Sequence, residues 1–186
     1  MITHILKAIC VLCTAACAAT AFVGCGDSGS SSSGAESVSG VSQTQFDLSA
    51  KEYLDMALEK APDSLLDEST AKGDTGSYGF DTFCSKLYGG ATIDQIADGA
   101  ISYASTGGNA DEVSILKAAD EGKQADMTKI LKDRVDVRRH DFEGYKPEEL
   151  PKIDKARVFE ANGYSILVIA DNAEEIEKAF MSIREG

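Results

Sequence analysis

The stretch "ARVFEANGYSILVIA", residues 156–170, decides the fold. Two apolar-rich runs flank Asn162-Gly163, the dipeptide that a two-residue type I′ turn demands because both central residues need positive φ. The stretch is therefore a β-hairpin. Upstream, "DEVSILKA" (residues 111–118) alternates Val113 and Ile115 with polar neighbours and adds Leu116 on the other side, which predicts a third strand. Between them Met127, Ile130, Leu131, Val135 and Arg138 recur at helical spacing, with Gly144 just beyond, and predict a helix over Ala125 to Phe142. Asp171 and Glu174 then introduce a terminal helix carrying Ile176, Phe180 and Ile183.

Toward the N-terminus the pattern reads as helical. Ser49 and Glu52 form a capping box, with Leu48 and Tyr53 placed for a hydrophobic staple. Leu54, Ala57, Leu58 and Ala61 follow on one face, and Pro62 ends the run. The breaker-rich loop "AKGDTGSYGFD" (residues 71–81) lacks the alternating acids and terminal Glu of a calcium loop. Phe80, Phe83, Cys84, Leu87 and Tyr88 share a second helical face that stops at Gly89-Gly90. Thr92 and Gln95 introduce a third, with Ile93, Ile96, Ala97, Ala100 and Ile101. The expected fold class is α+β: a small, about three-stranded sheet with a hairpin, in the order β-α-β-β-α, preceded by two or three helices.

The first residues read as a targeting segment. Lys7 is the only Lys or Arg before the uncharged run Ala8 to Val23, which is shorter than the roughly 20 apolar residues of a comfortable membrane span. Phe22-Val23-Gly24 before Cys25 resembles the lipobox of bacterial lipoproteins, in which the cysteine becomes the lipidated first residue of the mature chain. Phe22 departs from the leucine usual there, and "TAAC" ending at Cys17 is a weaker competing site. A plain signal peptide cleaved near Gly24 or Gly26, or an uncleaved anchor, is the alternative. Residues 26–45 are mostly Ser, Gly and Ala, a composition that makes a tether of about 25 Å average reach. The expected division is a signal peptide at 1–24, a lipidated Cys25 and tether at 25–45, and one α+β domain at 46–186.

Charge and cysteine content narrow the function classes. Removal of residues 1–24 takes one basic residue of 18 and none of the 31 acids, so the mature chain has a net charge of −14. Such a surface argues against nucleic acid and against electrostatic docking on anionic lipid. The expected partners are the membrane, through the lipid anchor, and an unknown protein or envelope ligand. After processing Cys84 is the one cysteine outside the acylated Cys25, so no intrachain disulfide forms, and His140 is the one histidine. That leaves no two-histidine or two-thiol metal site, and no phosphate loop, dinucleotide fingerprint or G-x-S-x-G appears. No cofactor, metal or catalytic residue is assigned.

The pieces "GGNADEVSILKA" (107–118) and "FEGYKPEELPKIDKARVFEANGYSILVIADNAEEIEKAF" (142–180) together resemble the bacterial lipoprotein domain catalogued as domain-of-unknown-function family 4358. The shared features are the Asn-Ala-Asp-Glu step into a strand, a long helix with a basic residue near Arg134, the Phe-x-x-Tyr-x-Pro-Glu exit at Phe142, Tyr145, Pro147 and Glu148, and the Gly163-Tyr164 hairpin. The resemblance spans about Leu87 to Phe180. It implies a lipoprotein signal and a Ser/Gly tail, and brings no reaction with it. Candidate binding residues are Asp111, Glu112, Arg134 and Tyr145. Neighbours on a strand point to opposite faces, so Asp111 and Glu112 do not form a paired acid and base. Arg134, Tyr145 and Asp111 either converge on a ligand or form a network fixing helix to sheet. The segment from Lys129 to Arg157 holds nine basic and seven acidic residues, a net of +2 in an otherwise acidic chain, which suggests a docking face or a solvated helix. The expected function is a lipid-anchored, extracytoplasmic, non-catalytic binding module at the cell membrane. The alternative is an envelope enzyme, either a hydrolase using Asp111 or Glu112 or a thiol enzyme using Cys84.

Overall fold

A computed structural model describes residues 47–184. The expectations for the signal segment, Cys25 and the tether lie outside the described residues. Asn162 and Gly163 sit at φ of 52° and 80°, as the type I′ turn requires, and join β4 (Arg157–Ala161) to β5 (Tyr164–Ile169) with Ala161 opposite Tyr164. The third expected strand is β3 (Glu112–Ala118), which pairs antiparallel with β5.

The sheet is larger than three strands. Residues 96–103, expected as the face of a third helix, form β2 (Ile96–Tyr103), and Glu68–Ala71, between Pro62 and the breaker-rich loop, form β1 where no element was expected. The result is a five-stranded antiparallel sheet of order β1-β2-β3-β5-β4. The expectation of a three-stranded sheet fails for an identifiable reason. Ile93, Ile96, Ala97, Ala100 and Ile101 do fall at helical spacing, but β2 lies between two neighbours and packs on both faces, so its burial does not alternate as a half-exposed strand's would. An irregularity in register between Ile96 and Asp98 breaks the period further. Thr92 does not cap a following helix; its hydroxyl donates to the Tyr88 carbonyl at 3.0 Å and closes the preceding one.

Helices cover both faces. The first is α1 (Ala50–Lys60), opened by the expected capping box: Glu52 N–H donates to Ser49 Oγ at 3.3 Å and Ser49 N–H to Glu52 Oε2 at 3.0 Å. Tyr53, Leu54 and Ala57 of α1 pack with Ile176 and Phe180 of α5 (Ala173–Ser182) on Val113, Ile115, Ile166 and Val168 of the sheet. The opposite face, carrying Leu116, Leu167 and Ile169, is covered by α2 (Phe80–Tyr88), α3 (Gln124–Glu143) and α4 (Leu150–Ile153) through Phe80, Cys84, Met127, Leu131 and Ile153. Alternation along β3 and β5 thus feeds two cores, one per face. At the start of α5 the residue preceding the helix is Asn172, not Asp171, and its amide donates to the Pro62 carbonyl at 3.2 Å. Among the described residues no helix is long and apolar enough to cross a membrane.

Candidate functional site: two buried ion-pair networks beside a charged cleft

Asp111, just ahead of β3, and Glu112, its first residue, have different partners. Glu112 follows the face that carries Ser114 and Leu116 and so points at α3. There Arg134 grips it with two nitrogens: Nη2 donates to Oε2 at 2.7 Å and Nε to Oε2 and Oε1 at 3.1 and 3.2 Å. Arg138, one turn further along α3, brings Nε to 3.6 Å from Oε2, donates Nη2 to the Asn109 carbonyl at 3.3 Å, and stacks over the Phe142 ring at 5.0 Å. Ser114 Oγ donates to Glu112 Oε1 at 3.1 Å, and the Tyr88 hydroxyl donates to Ser114 Oγ at 2.7 Å.

A carboxylate buried this deeply survives as a charge only if its partners outweigh its lost hydration. Burial pushes the Glu112 carboxyl up, but the charge and hydrogen bonds of Arg134, then Arg138 and Ser114, bring it below the usual range. Burial works against the Arg134 guanidinium as well, and Glu112 more than restores it. Arg138 fares worse: burial lowers it, Glu112 recovers only part, and Arg134 repels it. One carboxylate thus serves two guanidiniums.

Asp111 has a separate partner. Its Oδ2 accepts from Lys152 Nζ of α4 at 2.7 Å, and Lys152 also donates to Glu149 Oε2 at 3.0 Å. Glu149 Oε2 in turn accepts from the Ala110 N–H at 3.0 Å. Asp111 Oδ1 is buried without a hydrogen-bond partner among the described residues. Burial, only partly countered by a lysine it must share, raises the Asp111 carboxyl above the usual range. Lys152 loses by burial and gains more from its two carboxylates, so it is raised. Lys146 completes the set, donating to the Gly108 carbonyl at 2.9 Å. Arg138, Lys146, Glu149 and Lys152 therefore clamp the 108–112 stretch to the α3–α4 region, and the signature pieces of the sequence meet in space.

Beside this clamp lies a cleft of about 510 Å³ between two turns. The α4–β4 turn and the first residue of β4 supply Asp154, Lys155, Ala156 and Arg157; the β5–α5 turn and the first turn of α5 supply Ala170, Asp171, Ala173, Glu174 and Glu175. A smaller cleft of about 190 Å³ shares Lys155, Ala170 and Asp171 with it and reaches Lys152 and Glu148.

The four candidate residues do not form one site. Arg134 is spent on Glu112, Asp111 on Lys152, and Tyr145 stands 68% exposed with its ring edge toward Phe142 at 6.2 Å. Sequence reasoning placed Arg138 and Tyr88 on helical faces without a role in the network, and missed Lys152, Glu149 and Ser114. The spacing of Arg134 to Arg138 (i, i+4) and of Glu149 to Lys152 (i, i+3) was the available signal. The basic stretch is not a free positive face either: Lys129, Arg134, Arg138, Arg139, Lys152 and Arg157 each have a carboxylate within ion-pair distance. In the 71–81 loop Asp74 accepts from Ala71 N–H and Asp81 pairs with Lys72. Among the described residues no cluster of His, Cys, Asp and Glu fits a metal ion. Cys84 is buried, and burial first, then the Asp81 charge, pushes its thiol up to about 12.

The segment that contains the clamp, residues 78–170, matches a family model described as Domain of unknown function (DUF4358). The chain belongs to that family. No curated protein and no solved structure matches the chain. The DUF4358 match starts nine residues before Leu87, at Tyr78, and ends at Ala170, ahead of α5. It contains α2, α3, α4 and four of the strands, hence one complete helical layer, and leaves out α1, β1 and α5. The helices covering the other sheet face thus come from outside the DUF4358 segment.

Proposed function

We propose that this protein is a lipid-anchored extracytoplasmic binding module, held at the cell membrane by an acylated Cys25 and presenting its folded part to a protein or envelope ligand without performing a reaction on it. The observation that carries this reading is the commitment of both candidate carboxylates to buried partners, Glu112 to Arg134 and Asp111 to Lys152, while the charged groups around the neighbouring cleft stand exposed. The carboxylates hold shape; the cleft offers contacts. A thiol held near 12 is almost wholly protonated at neutral pH, which gives the thiol-enzyme reading no support. Anchoring is supported by the Gly24-Cys25 junction ahead of the Ser/Gly stretch. Two or three acyl chains are needed because a single one binds membranes only marginally.

The test is growth with a radiolabelled fatty acid followed by capture of cross-linked envelope partners. Wild-type chain is expected to carry label and to bring down a discrete partner from membranes; Cys25→Ala is expected to carry none. Equal labelling of the two chains removes the anchor, and capture of nothing above an unrelated lipoprotein removes the binding module.

A further inference from the structure

The larger cleft is polarised. Its α4–β4 wall carries Lys155 and Arg157, while Asp154 on the same wall is already neutralised by Arg139 of α3. The facing β5–α5 wall carries Asp171 and Glu175, and Glu174, whose Oε1 already accepts from Lys178 Nζ at 2.7 Å. Opposite signs on facing walls would normally collapse into ion pairs, and here they do so only loosely. Arg157 lies 3.9 Å from Glu174 and 3.5 Å from Glu177, and Asp171 reaches no closer than 3.9 Å to Lys152. Lys155 and Glu175 have no ion-pair partner among the described residues, and both are exposed. The apolar part of the lining is limited to small side chains, Ala156, Ala170 and Ala173.

From this geometry we infer that the cleft binds a short peptide with free ends and small side chains, its ammonium at Asp171 and Glu175 and its carboxylate at Lys155 and Arg157. The inference rests on the binding-module reading and gives that module its ligand class. A chain interior would bring neutral amides to walls of opposite charge and leave both walls without counter-ions; a peptide with both ends inside supplies one charge to each. A simple anion or cation satisfies one wall and is repelled by the other. A volume of about 510 Å³ lies within the roughly 300–1,000 Å³ of ordinary small-ligand sites, enough for a few small residues. Bulky side chains find no apolar wall to pack on.

The experiment titrates the full chain in detergent micelles with trialanine, N-acetyl-trialanine, trialanine amide and the doubly blocked peptide, read by amide chemical shifts. Free trialanine is expected to move the resonances of residues 154–157 and 171–175. Blocking either end should weaken binding about fivefold, since exposed charge pairs are individually modest, and raised salt should weaken the free peptide most. Lys155→Glu should reduce the sensitivity to the C-terminal block and Glu175→Lys the sensitivity to the N-terminal one; both positions are exposed, so unchanged melting of each variant accompanies the result. Equal binding of free and doubly blocked peptides overturns the inference, as does the absence of shifts at the cleft with millimolar trialanine. The titration needs no envelope partner: a wild-type chain that captures a partner but ignores trialanine loses the peptide-end inference alone, and a chain that binds trialanine but captures nothing keeps its ligand cleft and loses only the envelope protein partner.

Discussion

Asn162 donates one amide proton to the Tyr53 hydroxyl at 3.0 Å and the other to the Ile183 carbonyl at 3.0 Å, so the hairpin tip is tied to α1 and to the end of α5 together. Tyr53 passes its own proton to the Phe180 carbonyl at 2.9 Å, and its ring meets Phe180 edge-on at 4.9 Å. The residue that makes the turn is also the residue that closes the α1/α5 layer.

That tie makes α1 part of the core. A chain starting at Gly79 lacks Tyr53, Leu54 and Ala57, all buried, and β1 as well, leaving one sheet face half bare. Each large side chain alone contributes about 1.5–3 kcal/mol by burial, a substantial share of a domain's roughly 5–15 kcal/mol. The shortened chain is expected to melt broadly, and Tyr53→Phe in the full chain to cost about 1–3 kcal/mol by stranding the Asn162 amide. A sharp calorimetric transition for the short chain, within a few degrees of the full one, would show α1 to be an appendage.

The Glu112 network gives a second prediction. Replacing Glu112 by Gln leaves two guanidiniums without their shared counter-charge, and removal of one member of a buried pair costs about 3–5 kcal/mol. Arg134→Met in the same chain removes one of the stranded charges and should recover part of that loss. Denaturant midpoints of the two single variants and the double variant measure the coupling. Additive losses would mean that Arg134 and Glu112 do not act as a pair.

The hairpin, α1 with its capping box, α2, α3, α5 and β3 were legible because each is announced locally, by a turn dipeptide, a cap or a period. β1 and β2 were not. Glu68–Ala71 is four residues without alternation, and it is a strand only because β2 offers it a partner. The site was legible in its residues but not in its wiring. Asp111, Glu112 and Arg134 stood out, yet Arg134 meets Glu112 and not Asp111 because the start of β3 fixes which of two adjacent acids faces α3. Lys152 reaches Asp111 across 41 residues, a distance no local pattern encodes.

The two acids should leave opposite marks on acid stability. Glu112 titrates below its unfolded value, so its stabilisation is fully present above the ordinary carboxylate range near pH 4 and is lost as pH falls through the lower folded value. Asp111 titrates above its unfolded value, so its contribution is present at low pH and is lost as pH rises through the raised value. In melting curves from about pH 3 to 7, Glu112→Gln should flatten the acid-side loss, and Asp111→Asn should steepen the net rise of stability with pH. Unchanged profiles for both variants would contradict the assigned directions.

Gly99 supplies the last prediction, because it lets α2 approach the sheet. A methyl group placed on its Cα would lie 2.5 Å from Phe80 Cζ, 3.1 Å from the Ile115 carbonyl oxygen and 3.1 Å from Leu116 Cδ2. In an open strand, exchanging Gly for Ala would gain about 0.5–1 kcal/mol through reduced backbone entropy of the unfolded chain. Here the contacts decide the sign. The Phe80 ring is fully buried beside Cys84 and Leu116, so it has no free volume to retreat into, and the carbonyl belongs to the central strand. Overpacking of this kind costs about 1–3 kcal/mol, which exceeds the entropic gain. Gly99→Ala should therefore lower the melting midpoint, and Gly99→Ala with Phe80→Leu, whose shorter side chain vacates the contact at Cζ, should lose less than the sum of the two single changes. A Gly99→Ala chain that melts higher than wild type would mean that Phe80 does not sit against β2.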